Sequence, residues 1–184
     1  PDLHIVTSNT QYAPGSWIDA EIWAGDNSNP VDNLYGVAFD LSFNSNLIET
    51  GSVSLSYPNS WLGTPGTSSI KMAMVDESSG MASGAVSKIN QKNADGFGKI
   101  AVLRFQAKTT ISSSSVFNLN FTNYAATDSS GIAKSFNVIP DSVTIDPGIS
   151  GIKGESQSAI SIFPNPFNGS TQISYFLTSS AQIS

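Results

Sequence analysis

The sequence predicts an all-β protein, an antiparallel β-sandwich of about nine strands with a short β-rich tail at its C-terminus. Charged residues make up only 12% of the 184 residues, and Ser, Thr, Asn and Gly supply most of the polarity. This composition disfavours long helices and suits short strands joined by turns. Several segments alternate apolar and polar residues. Turn signals recur roughly every 8–14 residues, a spacing typical of sandwiches.

The first quarter of the chain contains two predicted strands. Residues 16–24 place Trp17 and Trp23 on one side and aliphatic residues on the other. On the strand of residues 34–43, the predicted core face is Tyr35, Val37, Phe39, Leu41 and Phe43. The opposite face is small and partly polar, as in a half-buried antiparallel sheet, and consists of Gly36, Ala38, Asp40 and Ser42.

The middle of the chain alternates in the same way. Residues 53–57 are a strand candidate, and residues 69–75 are predicted as a strand with Ile70, Met72 and Met74 pointing into the core. A Ser- and Gly-rich loop is predicted for residues 77–84, followed by a weaker strand over residues 85–91.

Later segments complete the predicted sandwich. Residues 99–107 alternate strongly after an Asn-Ala-Asp-Gly turn signal, and residues 116–121 place three apolar residues at period two. Residues 133–145 are expected to add one or two closing strands. Beyond residue 146 the composition changes, so we predict a sandwich over residues 1–146, a linker over 147–158 and the start of a second small β-domain over 159–184.

Composition also excludes several functions. The net charge is −6 and the eight basic residues are scattered, which argues against a nucleic-acid partner and an anionic membrane surface. No apolar run approaches the length of a membrane-spanning helix. There is no Cys, which excludes disulfides and thiolate metal sites. His4 is the single histidine and the carboxylates are dispersed, so we expect no enzymatic activity.

Two loop regions carry oxygen ligands of the type that calcium prefers. Asp26 and Asp32 lie with Asn27 and Asn33 in one region, and Asp128 precedes two serines in the other. Neither region has the spacing of an EF-hand loop, and Asx turns explain both without an ion. A structural calcium ion is therefore kept as an open alternative, and no other cofactor is expected.

Four aromatic residues are candidates for stacking on sugar rings: Trp17, Trp23, Tyr57 and Trp61. Trp17 and Trp23 share one side of the strand of residues 16–24, so a flat carbohydrate-binding face could use both. Burial of one or both in the core is the competing interpretation.

Three segments resemble the cohesin family. They are residues 34–49 (LYGVAFDLSFNSNLIE), residues 95–105 (DGFGKIAVLRF) and residues 126–131 (ATDSSG). The resemblance implies a jelly-roll sandwich of about nine strands, an architecture that some cellulose-binding modules share. Within residues 95–105, the pair Gly96 and Gly98 permits a tight start to a central strand.

The cohesin resemblance also implies a function. Cohesins bind dockerins, which are calcium-loaded helical pairs, through a sheet face that includes the strand similar to residues 35–43. The corresponding face here is Gly36, Ala38, Asp40 and Ser42. Dockerin-binding cohesins often carry Asn and Asp at the positions of Gly36 and Ala38, so this chain lacks those hydrogen-bonding groups.

A second resemblance lies near the C-terminus. Residues 161–175 (SIFPNPFNGSTQISY) are similar to the start of the C-terminal sorting domain of type IX-secreted bacterial proteins and to related Ig-like tail repeats. The resemblance covers only the first strands and lacks the basic terminal motif of that family, so we expect either a truncated domain or further domains downstream. It implies a Gram-negative bacterium, export across the outer membrane, and a secreted or cell-surface protein.

Together these patterns predict a non-catalytic secreted or surface module that binds a protein partner such as a dockerin-like module. The alternatives are a carbohydrate-binding module that recognises a polysaccharide, and a scaffold segment that spaces other domains without a ligand.

Overall fold

The computed structural model of the chain describes residues 1–148, 161–168 and 170–174. The chain divides into two compact units, Pro1–Ile149 and Ser150–Ser184. In the first unit the strands are β1 (Asp2–Thr7), β2 (Gln11–Tyr12), β3 (Trp17–Ala24), β4 (Val31–Leu34), β5 (Gly36–Phe43), β6 (Ser54–Ser56), β7 (Ser69–Asp76), β8 (Met81–Lys88), β9 (Ala94–Gly96), β10 (Gly98–Gln106), β11 (Ser115–Thr127), β12 (Asn137–Ile139) and β13 (Asp141–Ile145). In the second unit the strands are β14 (Ser161–Asn168) and β15 (Ser170–Ser174).

Two large sheets make up most of the first unit. One has five strands in the order β12-β1-β3-β10-β6, and the other has six in the order β2-β13-β11-β5-β8-β7. Most neighbours are antiparallel, and the short pairs β1–β12 and β2–β13 are parallel. A small separate sheet joins β4 to β9. The predicted all-β sandwich is confirmed, and the two parallel pairs are details that alternation along a single strand does not reveal.

The core lies between the two sheets. Val37, Phe39, Leu41 and Phe43 on β5 are buried, as their period-two spacing predicts. The two sheets meet at Phe105 and Phe117, whose stacked rings have centroids 4.5 Å apart.

The second unit contains an antiparallel hairpin of β14 and β15, with Ile162 paired to Ile173. Of the strand that the sequence predicts over residues 171–177, residues 171–174 lie in β15, and residues 175–177 lie outside the described residues. The predicted linker over residues 147–158 lies, beyond residue 148, outside the described residues. The sorting-domain resemblance stays a prediction.

The predicted direction of the strand over residues 69–75 is wrong. Ile70, Met72 and Met74 point away from the core on β7, and 61–64% of the surface of each is exposed. Lys71, Ala73 and Val75 alternate equally well, so period two alone does not say which set faces inward. β7 is the edge strand of its sheet, where the inward side receives little cover.

Two further differences concern local structure. Residues 81–84 were expected in a loop, but they form the first half of β8 because a strand can accommodate Gly and Ser between longer neighbours. Residues 99–107 alternate strongly in sequence, but a bulge between Lys99 and Ala101 shifts the register, and the adjacent residues Ile100 and Ala101 are both fully buried.

The glycine pair before β10 has the predicted role. A Cβ atom on Gly98 would lie 2.5 Å from the Cβ of Trp61, which is too close for any side chain. Gly98 therefore lets the loop that carries Trp61 pack directly on the start of β10, and the Trp61 amide donates to the carbonyl of Lys99 at 2.7 Å.

Candidate functional site

The outward residues of β5 lie in one row on the outer face of the six-stranded sheet. Because Val37, Phe39, Leu41 and Phe43 point inward, the alternate residues point outward, and these are Gly36, Ala38, Asp40 and Ser42. β5 pairs with β11 on one side and β8 on the other, so the row runs through the interior of the sheet.

The neighbouring strands continue this row with small side chains. Ala38 pairs with Ala85 on β8 and with Ala125 on β11, and Gly36 and Asp40 pair with Ser87 and Ser83. We call this surface the small-residue floor, and it consists of Gly36, Ala38, Ser83, Ala85, Ser87 and Ala125. Since none of these side chains extends far, a flat partner surface could approach the sheet closely.

An apolar stripe borders the small-residue floor along β7. It consists of Ile70, Met72 and Met74, which pair with Ser87, Ala85 and Ser83 on β8. Further burial of each partly exposed side chain under a partner would contribute about 1–2 kcal/mol. The apolar stripe is therefore the part of this face that gains most from leaving water.

Parts of the floor and of the stripe form a shallow apolar depression. Ile70 and Met72 stand on one side of it, Ala38 and Ala85 lie at its base, and Ala125 lies on the far side. Towards the other end the face also carries polar groups, because Asp40 pairs with Ser83 and Ser42 follows on β5, and Met74 and Met81 lie beside them on β7 and β8. The face thus offers an apolar end and a mixed polar and apolar end to a bound molecule.

Tyr57 holds the edge strand β7 against the rest of the sandwich. This residue was a candidate for sugar stacking, but only 4% of its surface is exposed. Its hydroxyl donates a hydrogen bond to the backbone carbonyl of Met72, and the amine of Lys71 lies 5.9 Å from its ring centroid. Burial raises the pKa of the Tyr57 phenol to about 12. Tyr57 is a structural residue, and its assignment as a stacking platform is corrected.

The tryptophan candidates do not form one exposed platform. Trp17 lies on the outer face of the five-stranded sheet, half exposed, with the guanidinium of Arg104 5.0 Å from its ring centroid. Trp23 lies on the same side of β3, only partly exposed. Trp61 packs against the core on a different segment. The four predicted stacking residues are therefore distributed over three places.

Ion pairs fill the space between Trp17 and Trp23. The Nε1 of Trp23 donates to Glu21 at 2.9 Å, Lys99 pairs with Glu21 at 2.8 Å, and Arg104 pairs with Asp19 at 3.3 Å. Burial raises the pKa of Glu21, but the hydrogen bonds from Lys99 and Trp23 outweigh it and leave that pKa below its usual value. These contacts give both carboxylates a structural partner.

The structure does not bring the calcium candidates together. The Oδ1 of Asp26 accepts from the amides of Ser28 and Asn29, which lower the pKa of Asp26, and Oδ1 of Asp128 accepts from the amides of Ser130 and Ile132. Asp32 is exposed on β4. Among the described residues, no group of three His, Cys, Asp or Glu side chains could hold a metal ion. The Asx turns account for Asp26 and Asp128.

Sequence reasoning found the row on β5 and missed the apolar stripe and the small residues on β8 and β11. The stripe was assigned to the core, and Ala85 and Ala125 carry no chemical signal by themselves. Lys71 indicates an edge strand, but it does not say which side of that strand faces the core. Within the described residues, no helix is long and apolar enough to cross a membrane.

Comparison with known proteins identifies the fold. No protein-family model matches the chain, and no curated protein matches it in sequence. Solved structures do match. A type II cohesin from Bacteroides cellulosolvens is 16% identical with a TM-score of 0.63, and the match covers 78% of this chain and 98% of that one. The chain has the cohesin fold.

Two further cohesin structures are similar over most of the sandwich. A type I cohesin–dockerin complex from Clostridium thermocellum is 14% identical with a TM-score of 0.62, covering 79% of this chain and 99% of that one. A type II cohesin dyad from the adaptor scaffoldin ScaA of Acetivibrio cellulolyticus is 14% identical with a TM-score of 0.61. The match covers 88% of this chain and 50% of the dyad, so the chain spans about half the dyad's length.

Proposed function

We propose that the chain is a non-catalytic binding module that docks a dockerin-like helical protein on the outer face of the six-stranded sheet. One observation carries the proposal: a floor of small residues on β5, β8 and β11 lies beside the apolar stripe on β7. A flat floor admits a helix backbone, and the stripe supplies apolar contact area at its side. Several structures that share the fold are cohesins in complex with dockerins, which supports the choice of partner.

The chemistry of the face narrows the type of partner. Gly36 and Ala38 offer no side-chain hydrogen bond, whereas Ile70 and Met72 offer exposed apolar surface next to them. A partner that presents aliphatic or aromatic side chains would gain most at this end, and polar groups would meet Asp40, Ser42 and Ser83 at the other. We therefore propose that recognition depends more on apolar contact than on a hydrogen-bond network.

Titration calorimetry with a panel of calcium-loaded recombinant dockerins tests this proposal. We expect at least one dockerin to bind, and Ala38→Arg, which places a long charged chain on the floor, to reduce affinity at least about tenfold, or 1.4 kcal/mol. Val116→Arg is the matched control, because Val116 is exposed on β11 near the opposite end of the same sheet. Equal effects of the two variants, or no binding by any dockerin, would refute the assignment.

The cellular location of the protein is part of the same proposal. We propose a secreted or cell-surface protein, supported by the low charge content and by the resemblance of residues 161–175 to sorting domains. Immunodetection in culture supernatant, surface and cytosolic fractions tests this, and a purely cytosolic signal would contradict it. Export across the outer membrane of a Gram-negative bacterium depends on the tail resemblance alone and stays a prediction.

Carbohydrate binding is the second candidate function. The observation that favours it is the half-exposed indole of Trp17 on the five-stranded sheet. Arg104 lies over that indole and Trp23 is tied to Glu21, so a sugar would have to displace one contact and could use only part of the other ring. This geometry makes a protein partner the better-supported proposal.

A further inference from the structure

All sulfur in this chain lies on the candidate docking face. The sequence has no Cys and three Met, and these are Met72 and Met74 on β7 and Met81 on β8. Met81 pairs with Ser42 and Asp76, so it lies on the same outer face of the six-stranded sheet. None of the three belongs to the buried core of the described residues. Any chemistry specific to sulfur is therefore confined to this face.

Met72 and Met74 are much more accessible than methionine usually is. The two residues are 61% and 64% exposed, and they are two of the three members of the apolar stripe. Methionine is common on adaptable binding surfaces because its thioether is flexible and polarizable. The same thioether is the group that hydroperoxides oxidise when it is accessible.

We propose that Met72 and Met74 are oxidation sites through which hydroperoxides modify this face and switch off docking. The sulfur lone pair attacks one peroxide oxygen, an S–O bond forms and the O–O bond breaks. With hydrogen peroxide, the leaving hydroxide takes the proton of the transferred oxygen and departs as water. Sulfur is oxidised by two electrons and the peroxide is reduced.

The location of these residues separates the effect on docking from the effect on folding. Methionine sulfoxide is polar, so oxidation of Met72 and Met74 makes two of the three side chains of the apolar stripe polar. The core is untouched because the methionines lie outside it. The backbone of β7 keeps its ladder to β8 and its hydrogen bond from Tyr57 to Met72. Oxidation should therefore change what the face binds and leave the sandwich folded.

The first test uses the full chain and hydrogen peroxide, without a partner. Peptide mapping by mass spectrometry over time should show Met72 and Met74 oxidised faster than Met81, which is more covered. The thermal midpoint should stay unchanged, and retention on a hydrophobic interaction column should fall. Faster oxidation of Met81, or a lower thermal midpoint after oxidation of Met72 and Met74, overturns the assignment.

The second test concerns docking and depends on the proposed function. Peroxide should reduce the affinity of the wild-type chain for its best dockerin at least about tenfold. The double variant Met72→Leu/Met74→Leu, compared with its own untreated affinity, should lose no affinity on peroxide treatment, and Met81→Leu, the matched control, should be as sensitive as wild type. Full affinity of the wild type after complete oxidation of Met72 and Met74 overturns the switch.

The two tests separate the possible failures. If no dockerin binds the untreated chain, the proposed function and the switch both fail, while the oxidation rates and retention still decide whether Met72 and Met74 are the reactive sites. If dockerins bind and peroxide has no effect, the switch alone fails. Reversal by methionine sulfoxide reductases should restore affinity if the sulfoxides are responsible for its loss.

Discussion

The phenol of Tyr57 donates a hydrogen bond to the backbone carbonyl of Met72. This single contact joins a buried residue that follows β6 in one sheet to the exposed edge strand β7 of the other. The position of the apolar stripe therefore depends on a residue that is itself almost fully buried.

The Tyr57→Phe variant should destabilise the sandwich. The phenol loses its acceptor, and the partly buried carbonyl of Met72 loses its donor, so we expect a loss of about 1–2 kcal/mol in the free energy of unfolding. Urea denaturation at neutral pH measures this. A change below about 0.3 kcal/mol would show that the bond does not hold β7 in place.

Tyr57 should also make stability depend on alkaline pH. Its pKa is raised from 10.0 to about 12 in the folded chain, so the folded state holds this proton more tightly than the unfolded state. The contribution is fully present below pH 10 and is lost as pH rises from 10 towards 12. We expect a loss of about 2 kcal/mol over that range. The Tyr57→Phe variant should lack this part of the pH dependence, and equal pH profiles for the two proteins would contradict the account.

Gly98→Ala tests the close contact between β10 and the loop that carries Trp61. The added Cβ would meet Trp61 at 2.5 Å, so the loop must shift, and we expect destabilisation of about 1–3 kcal/mol. Ser54→Ala, on the exposed side of the neighbouring strand β6, is the control and should stay within about 0.5 kcal/mol of wild type. Similar midpoints for both variants would show that the contact is easily relieved.

Polar replacement of the apolar stripe should affect binding and leave folding intact. The double variant Ile70→Thr/Met74→Thr removes apolar surface that is more than half exposed, and Thr suits a strand. The unfolding free energy should change by no more than about 1 kcal/mol, and dockerin affinity should fall. A large loss of stability would mean that the stripe is needed for the fold and is not free for a partner.

Trp17→Ala tests the carbohydrate alternative. Affinity electrophoresis in gels that contain soluble polysaccharides should show no difference between this variant and wild type if the chain docks a protein. Arg104→Ala is an informative companion, because it uncovers the Trp17 ring. Retardation of wild type that is lost in Trp17→Ala would favour sugar binding on the five-stranded sheet.

The sequence predicts where the strands lie better than it predicts which side of each strand faces the core. The alternation on β5 identifies both its core face and its outer row. This strand lies between β11 and β8 in the interior of the sheet, so one of its faces is covered by the core and the other faces outward. On β7 the same period fits either orientation, and only the position at the sheet edge decides that Ile70, Met72 and Met74 point outward. The glycine in β8 suggested a loop, whereas Gly84 lies where a Cβ would meet Phe39 at 2.6 Å.

Candidate site residues show the same limit. Gly36, Ala38, Asp40 and Ser42 could be grouped from one strand, but Ala85 and Ala125 join them only through pairing between strands far apart in sequence. In the sequence, Tyr57 and Trp17 are equal candidates for stacking on a sugar ring, and only their different burial in the structure distinguishes them. Which residues share a face and which are buried depends on contacts between residues far apart in the sequence, and a single sequence does not reveal those contacts.

Backbone amide NMR of the chain, titrated with the dockerin that binds it best, tests the central claim most directly. Shift changes and slowed amide exchange should concentrate on β5, β7 and β8 around Ala38, Met72 and Ala85, and the amides of β3 around Trp17 should stay unchanged. Changes centred on Trp17 and Arg104 of the five-stranded sheet, with β5 and β7 unaffected, would contradict the assignment of the docking face.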